Sequence, residues 1–172
     1  MRQAVFFDRD GVLNELVERN SQLVSPRTFI DFKVYPEAIR IVNEVQELGF
    51  ATVLVTNQPD IARGKMPFRE LDQMLSYLRQ VMPFNMIRYC PHDNFENCSC
   101  RKPRPGMLTE AARKLDLDLS RSVIVGDSWK DMEAGRKAGV KTILLDRPYN
   151  AGTHADWHVD SLAGILPLLD LL

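Results

Sequence analysis

Cysteine is scarce in this sequence, and long apolar runs are absent. Only three cysteines occur in 172 residues, and all lie between Cys90 and Cys100. An odd and clustered set excludes a disulfide framework and leaves either a metal site or no special role. No window approaches the ~18 apolar residues that a membrane-spanning helix needs, and the N-terminus lacks a basic segment followed by a long apolar stretch. We therefore expect a cytoplasmic protein with no membrane partner.

An excess of charge of one sign is also lacking. The formal net charge is -1, from 22 Lys and Arg against 23 Asp and Glu. Such a chain has no electrostatic footprint for nucleic acid, which is therefore not expected as a partner. Any phosphate that the protein binds must be held by a few local groups. The 45% of hydrophobic residues suffices for one core, and we expect residues 1–172 to form a single domain.

What the sequence does have is a short apolar strand that leads into acidic residues. Residues 4–7, Ala-Val-Phe-Phe, are too few for a helix and predict a fully buried strand. Strand alternation places Asp8 and Asp10 on one side and turns Arg9 away from them. Two carboxylates so close repel each other, so we expect the fold to use them on a cation or in proton transfer. An ordinary Asp-Gly turn is the alternative for this segment taken alone.

Predicted strands and helices alternate along the rest of the chain. Helices are predicted over 36–48, 67–82, 106–115, 130–138 and 161–172, and further strands over 50–55, 86–89, 122–125, 141–145 and 157–159. This order predicts an α/β fold with a single Rossmann-like, doubly wound parallel sheet. No insertion long enough for a cap domain interrupts it. Residues 15–35 are predicted as a long functional loop that can include a short hairpin.

Polar residues follow three of the predicted strands. Asp8 and Asp10 follow the first strand, Thr56 and Asn57 follow the second, and Asp127 lies just beyond the strand at 122–125. In open parallel sheets the site lies beyond the carboxyl ends of the strands, so these side chains are expected to meet. The convergence favours a functional site over ordinary turns.

Residues 90–105 form an irregular loop that is rich in potential metal ligands. These ligands are Cys90, His92, Cys98 and Cys100. Three sulfurs and one imidazole are a tetrahedral zinc set, and no helix or strand face otherwise explains them. Because four protein ligands close the coordination shell, we expect a structural Zn²⁺. Arg101 and Lys102 follow the last ligand directly, so the zinc would fix the loop that presents them to a substrate.

These segments resemble the successive motifs of the haloacid dehalogenase (HAD) superfamily. The motifs are Asp8-x-Asp10-Gly11-Val12-Leu13-Asn14, Thr56-Asn57-Gln58, Arg101-Lys102-Pro103-x-Pro105-Gly106-Met107 and Gly126-Asp127-x-x-x-Asp131-Met132. The match spans most of the chain, residues 5–145. Within the superfamily, the zinc loop is similar to that of the D,D-heptose 1,7-bisphosphate phosphatases and their histidinol-phosphatase relatives.

The resemblance implies phosphoryl transfer in two steps through an aspartyl-phosphate. Asp8 would be the nucleophile, and Asp10 would act first as general acid and then as general base. Mg²⁺ would be held by the carboxylates of Asp8 and Asp127 and by the main-chain carbonyl of Asp10. Thr56 and Asn57 would donate hydrogen bonds to the phosphate.

The cationic pair after the zinc loop would also serve the substrate. Lys102 would place a positive charge at the reacting phosphate, and Arg101 would grip a second, non-reacting phosphate. In two places the chain departs from the family pattern. Ser128 stands where the family commonly has a Lys after the metal-binding Asp, and Pro59-Asp60 interrupts the second motif. Both departures bear on substrate preference more than on catalysis.

Other residues near the motifs have two possible roles. Asp131 would lie near the metal's ligands or stabilise a helix N-terminus. Trp129 would be a lid or part of the core. His154 and His158 lie away from every motif and are expected to be structural or exposed.

The implied function is Mg²⁺-dependent hydrolysis of a sugar phosphate, preferably the 7-phosphate of D-glycero-D-manno-heptose 1,7-bisphosphate. The alternatives are a phosphatase for histidinol phosphate or another small monoester and, from a different class, an inactive zinc-stabilised binding protein. Retention of Asp8, Asp10 and Asp127 argues against the inactive protein. A small open site suits a monomer.

Overall fold

The apolar strands predicted from the sequence form the centre of one parallel sheet. The computed structural model describes all residues 1–172. Its strands are β1 (Ala4–Phe7), β2 (Val17–Arg19), β3 (Gln22–Val24), β4 (Ala51–Asn57), β5 (Met86–Cys90), β6 (Val123–Gly126), β7 (Lys141–Leu145) and β8 (Trp157–Val159). Its helices are α1 (Pro36–Glu47), α2 (Phe68–Val81), α3 (Gly106–Leu115), α4 (Trp129–Ala138) and α5 (Leu166–Leu169). None of these helices is long and apolar enough to cross a membrane.

The sheet has six parallel strands in the order β5-β4-β1-β6-β7-β8. The chain starts in the middle, at β1, extends outward through β4 and β5, and returns to the other side of β1 with β6. Phe6 is therefore flanked by Val53 on one side and Ile124 on the other. The reversal of strand order at β1 opens a crevice beyond its carboxyl end, where ligands bind in doubly wound sheets. The predicted α/β architecture is confirmed.

Alternate residues of β1 enter two separate cores. Val5 and Phe7 pack in a core with α1 and α2, whereas Ala4 and Phe6 pack in a second core with α3 and α4. All four residues have no exposed surface. Because both faces of the sheet are covered, its strands are continuously apolar rather than alternating, as the sequence indicates.

Of two segments outside the central sheet, residues 15–35 form the predicted hairpin, whereas residues 161–172 do not form the predicted helix. Residues 15–35 include an antiparallel hairpin of β2 and β3, whose turn residues Asn20 and Ser21 have φ of 51° and 59°. The prediction of one helix over 161–172 is wrong, since a short 3-10 helix at Leu162–Ile165 precedes the four-residue α5. Pro167 in the first turn of α5 has no N–H and is tolerated only near a helix start.

Candidate active site

The carboxyl ends of β1, β4 and β6 surround a small polar cleft of about 200 Å³. Asp8 follows β1, Asn57 ends β4, and Ser128 follows β6, and all three line the cleft. Arg101 and Lys102 reach it from the loop after β5. The structure thus brings together residues from all four sequence motifs.

Three carboxylates form a cluster at the edge of this cleft, and two of them, Asp8 and Asp131, line it. Ligand oxygens of Asp8, Asp127 and Asp131 all lie within 4.8 Å of one another. Burial, followed by the charge of Asp131, raises the pKa of Asp8 well above its usual value and that of Asp127 to about 7. A Cβ atom on Gly11 would lie 2.0 Å from the Oδ2 atom of Asp127, so only glycine fits there. Carboxylate oxygens are the hard ligands that Mg²⁺ takes in proteins, and a bound cation would offset the repulsion between them.

Lys102 is the cation at the centre of the cluster. Its Nζ atom donates to Asp8 Oδ1 at 2.8 Å and to Asp131 Oδ1 at 2.6 Å, and its side chain is 2% exposed. Burial alone would lower the pKa of Lys102, but the charges of Asp131 and Asp8 raise it above its usual value. The ammonium therefore stays charged beside the predicted nucleophile.

Asp131 has the predicted place at the N-terminus of α4, whereas its role near a metal remains a prediction. Besides binding Lys102, its Oδ2 atom accepts from the main-chain N–H of Ser128 at 3.1 Å, and Ser128 in turn caps α4. Asp131 therefore joins the start of α4 to the carboxylate cluster.

Asn57 holds Lys102 in place through the main chain. Its amide donates to the carbonyl of Lys102 at 2.9 Å and accepts from the N–H of Lys102 at 3.0 Å. The neighbouring Thr56 is buried, and its hydroxyl oxygen accepts from Gln58 Nε2 at 2.9 Å. Asn57 lines the cleft, whereas Thr56 is buried at the end of β4 and is not among the residues that line it. The contacts of both side chains with a phosphate remain predictions.

The carboxylate of Asp10 is surrounded by donors. Arg9 donates to it from Nε at 3.0 Å and from Nη2 at 2.8 Å, and Asn14 and Gln58 donate from their amides at 3.0 and 2.9 Å. The prediction that Arg9 turns away is wrong. The strand ends at Phe7, and the carbonyl of Arg9 accepts from the following N–H groups in a turn, so strand alternation no longer applies.

The four predicted zinc ligands lie together in the loop after β5. Cys90 Sγ is 3.5 Å from His92 Nδ1 and 3.6 Å from Cys98 Sγ, and Cys100 Sγ is 3.4 Å from His92 Nδ1. A tetrahedron with Zn–S of about 2.3 Å and Zn–N of about 2.05 Å has edges of about 3.5 to 3.8 Å. The spacing of these atoms therefore fits a Zn²⁺ ion.

The same loop anchors Arg101 at the cleft. The Nε atom of Arg101 donates to Asn94 Oδ1 at 2.8 Å, and its Nη1 atom donates to the carbonyl of His92 at 3.2 Å. Because His92 is also a proposed zinc ligand, a metal that orders this loop would also hold Arg101 in position.

Two residues that bind Asp127 were not predicted from the sequence. Tyr149 donates its hydroxyl to Asp127 Oδ2 at 2.5 Å, and Asn150 donates its amide to the carbonyl of Asp127 at 2.8 Å. Both lie in a 3-10 helix at Pro148–Asn150, outside every motif. The only hint in the sequence is that both residues follow the carboxyl end of β7 after a short loop.

A groove of about 650 Å³ adjoins the carboxylates. The β2–β3 turn lines one side of it, and Trp129 and Tyr149 line the other. Trp129 is 55% exposed, which excludes the core role considered for it. His154 and His158 are exposed, as expected, and His158 Nδ1 lies 2.8 Å from Asp146 Oδ1.

Comparison with known proteins points to one family. The model of the HAD-hydrolase-like family matches residues 99–161. A D-glycero-beta-D-manno-heptose-1,7-bisphosphate 7-phosphatase from Helicobacter pylori strain J99 is 36% identical, with 83% of this chain and 82% of the relative covered. The protein of that name from Escherichia coli K12 is 34% identical over 94% of this chain and 91% of the relative.

A solved structure shows the same fold over almost the whole chain. It is the D,D-heptose 1,7-bisphosphate phosphatase from B. bronchiseptica complexed with magnesium and phosphate. Its TM-score is 0.84 at 26% identity, with 98% of each chain covered.

Proposed function

This chain belongs to the HAD-like phosphatase family, and on that premise we propose that it removes the 7-phosphate of D-glycero-β-D-manno-heptose 1,7-bisphosphate. One observation carries the proposal. Asp8 is ion-paired with Lys102 and grouped with Asp127 and Asp131 at the switch point of the sheet. The relatives named above carry that activity in their names, which supports the choice of substrate.

In the first step, Asp8 attacks the phosphorus atom while the bond to the sugar oxygen breaks. Asp10 gives its proton to the departing alkoxide, and Lys102 and Asn57 keep Asp8 in line for attack. Asp8, Asp127 and the main-chain carbonyl of Asp10 would hold Mg²⁺. When bound, the ion offsets the repulsion between a carboxylate and a phosphate.

In the second step, water cleaves the aspartyl-phosphate. Asp10 takes a proton from that water, and the bond between Asp8 and phosphorus breaks, which releases inorganic phosphate and restores both carboxyl groups. The donors around Asp10, from Arg9, Asn14 and Gln58, hold its carboxyl group in position for both transfers.

Zinc would have a structural role in this account. Cys90, His92, Cys98 and Cys100 would close a tetrahedral shell, which leaves no position for a reacting water. The metal would hold the loop that carries Arg101 and Lys102 to the cleft.

A single chain would suffice for this chemistry. Strands β5, β4, β1, β6, β7 and β8 form one sheet, which supports a single domain over residues 1–172, and the small open site suits a monomer. A cytoplasmic location is part of the proposal, because a soluble sugar phosphate is the substrate.

Steady-state turnover of the Asp8→Asn variant tests the mechanism. The variant should fold and lose kcat by several orders of magnitude, since the amide cannot form the aspartyl-phosphate. Asp10→Asn should lose on the order of 10²–10⁴-fold through loss of proton transfer. Substantial hydrolysis by folded Asp8→Asn enzyme would contradict a covalent mechanism.

A further inference from the structure

Three cationic side chains line the catalytic cleft, and one of them has no partner in the protein. Lys102 is paired with Asp8 and Asp131, and Arg101 donates to Asn94 and to the carbonyl of His92. The ammonium group of Lys130 makes neither an ion pair nor a hydrogen bond, and its Nζ atom lies 6.0 Å from the centroid of the Trp129 ring.

The position of Lys130 is unfavourable for a cation. Lys130 is the second residue of α4, where the helix dipole favours negative charge. Its side chain is half-buried, and burial followed by the positive charge of Arg101 lowers the pKa of Lys130. Asp131 offsets this in part, while Arg63 and Lys102 add to it. Cations gathered at one cleft are stabilised when an anion binds between them.

Lys130 also lies two residues after Ser128, one of the positions at which the chain departs from the family pattern. Ser128 occupies the position of the usual Lys, and its hydroxyl caps α4 by accepting from the N–H of Lys130 at 3.2 Å. Ser128 and Lys130 line the same cleft. A positive charge thus enters this cleft from Lys130, in the first turn of α4.

We propose that Lys130, together with Arg101, binds the second, non-reacting phosphate of a bisphosphorylated substrate. This inference rests on the proposed function and names a residue that sets its specificity. The reacting phosphate lies at Asp8, where Lys102 is held. A bisphosphate carries two groups of about -1.5 to -2 charge each at neutral pH, so it needs cations beyond those at the nucleophile. Arg101 and Lys130 are the remaining cations of the cleft.

Matched pairs of substrates test this inference. The kcat/KM of wild type, Lys130→Gln and Lys130→Arg is measured on the heptose bisphosphate and its 7-monophosphate, and on fructose 1,6-bisphosphate and fructose 6-phosphate. Loss of one charge-assisted contact with a partly exposed phosphate should reduce kcat/KM of Lys130→Gln on a bisphosphate about 10-fold. The monophosphates should change little, and Lys130→Arg should keep most of the bisphosphate activity.

Lys137→Gln is the control, because Lys137 lies on the same helix, outside the cleft, and is paired with Glu133 at 3.2 Å. It should behave as wild type on every substrate. Equal losses on bisphosphates and monophosphates for Lys130→Gln, or no loss on either, would overturn the role of Lys130. If another bisphosphorylated sugar is preferred and depends on Lys130, the heptose assignment falls while this inference stands.

Discussion

Replacement of Arg9 by methionine should destabilise the protein strongly, although Arg9 touches no substrate in this account. The guanidinium is fully buried and donates to Asp10 through Nε at 3.0 Å and Nη2 at 2.8 and 3.1 Å. It also lies 5.2 Å from the centroid of the Phe32 ring. Methionine would fill most of this space without the charge.

The expected loss follows from the charge that is left behind. Removal of one partner of a buried ion pair costs about 3–5 kcal/mol, because the other charge is left uncompensated. Asp10 keeps the donors Asn14 and Gln58, which places Arg9→Met near the lower limit of about 3 kcal/mol. With a urea m-value of roughly 2 kcal/mol/M, the unfolding midpoint should fall by about 1.5 M at unchanged slope.

Urea unfolding followed by circular dichroism measures this shift, and a double-mutant cycle with Asp10→Asn isolates the pair. The double variant should be more stable than the sum of the single losses predicts, by roughly 1–3 kcal/mol. Arg40→Met is the matched control, since Arg40 is an exposed arginine paired with Glu44 at 2.6 Å and should shift the stability by at most about 0.5 kcal/mol. A loss for Arg9→Met no larger than for Arg40→Met, or strict additivity in the cycle, would refute the reasoning.

Three further predictions concern the metals and the response to acid. Protein purified without chelators should contain one zinc per chain by elemental analysis, and Cys98→Ser should lose it together with thermal stability, whereas a zinc-free wild type would defeat the assignment. Tyr149→Phe should weaken Mg²⁺ binding about 10-fold by calorimetry, because Asp127 loses the hydroxyl that orients it, and unchanged affinity would show that the hydroxyl is dispensable. Burial would raise the pKa of Asp156, but hydrogen bonds from Thr142 hold it below its usual value. Its stabilisation is therefore present above the unfolded-state pKa of about 3.9 and is lost as pH falls through the lower folded-state pKa, so Asp156→Asn should show a smaller drop in melting temperature from pH 6 to pH 3 than wild type.

Local signals were enough to predict most of the central sheet and its helices. Helix α3 and strand β7 have the predicted bounds, 106–115 and 141–145, because apolar spacing marks both, with Gly106 at the start of α3 and Gly139 shortly before β7. The predicted helix over 161–172 failed because Pro167 interrupts an otherwise apolar run.

Asp8, Asn57 and Asp127 could be placed at one edge of the sheet because each lies at or just beyond the end of a strand. The contacts between the site residues could not be predicted. Asn57 binds the main chain of Lys102, 45 positions away, and Tyr149 binds Asp127, 22 positions away. Such contacts depend on how loops pack across the end of the sheet, and no spacing within one element encodes them. The prediction for Arg9 failed for a local reason, because strand periodicity was extended into residues that form a turn.

The central claim concerns the substrate, and it is tested most directly by comparing kcat/KM for D-glycero-β-D-manno-heptose 1,7-bisphosphate and for histidinol phosphate, with the released phosphate assigned by phosphorus NMR. The account predicts higher kcat/KM for the bisphosphate, loss of its 7-phosphate, and a smaller difference between the two substrates in Arg101→Ala. Equal or better turnover of histidinol phosphate, or release of the 1-phosphate, would contradict the heptose 7-phosphatase assignment.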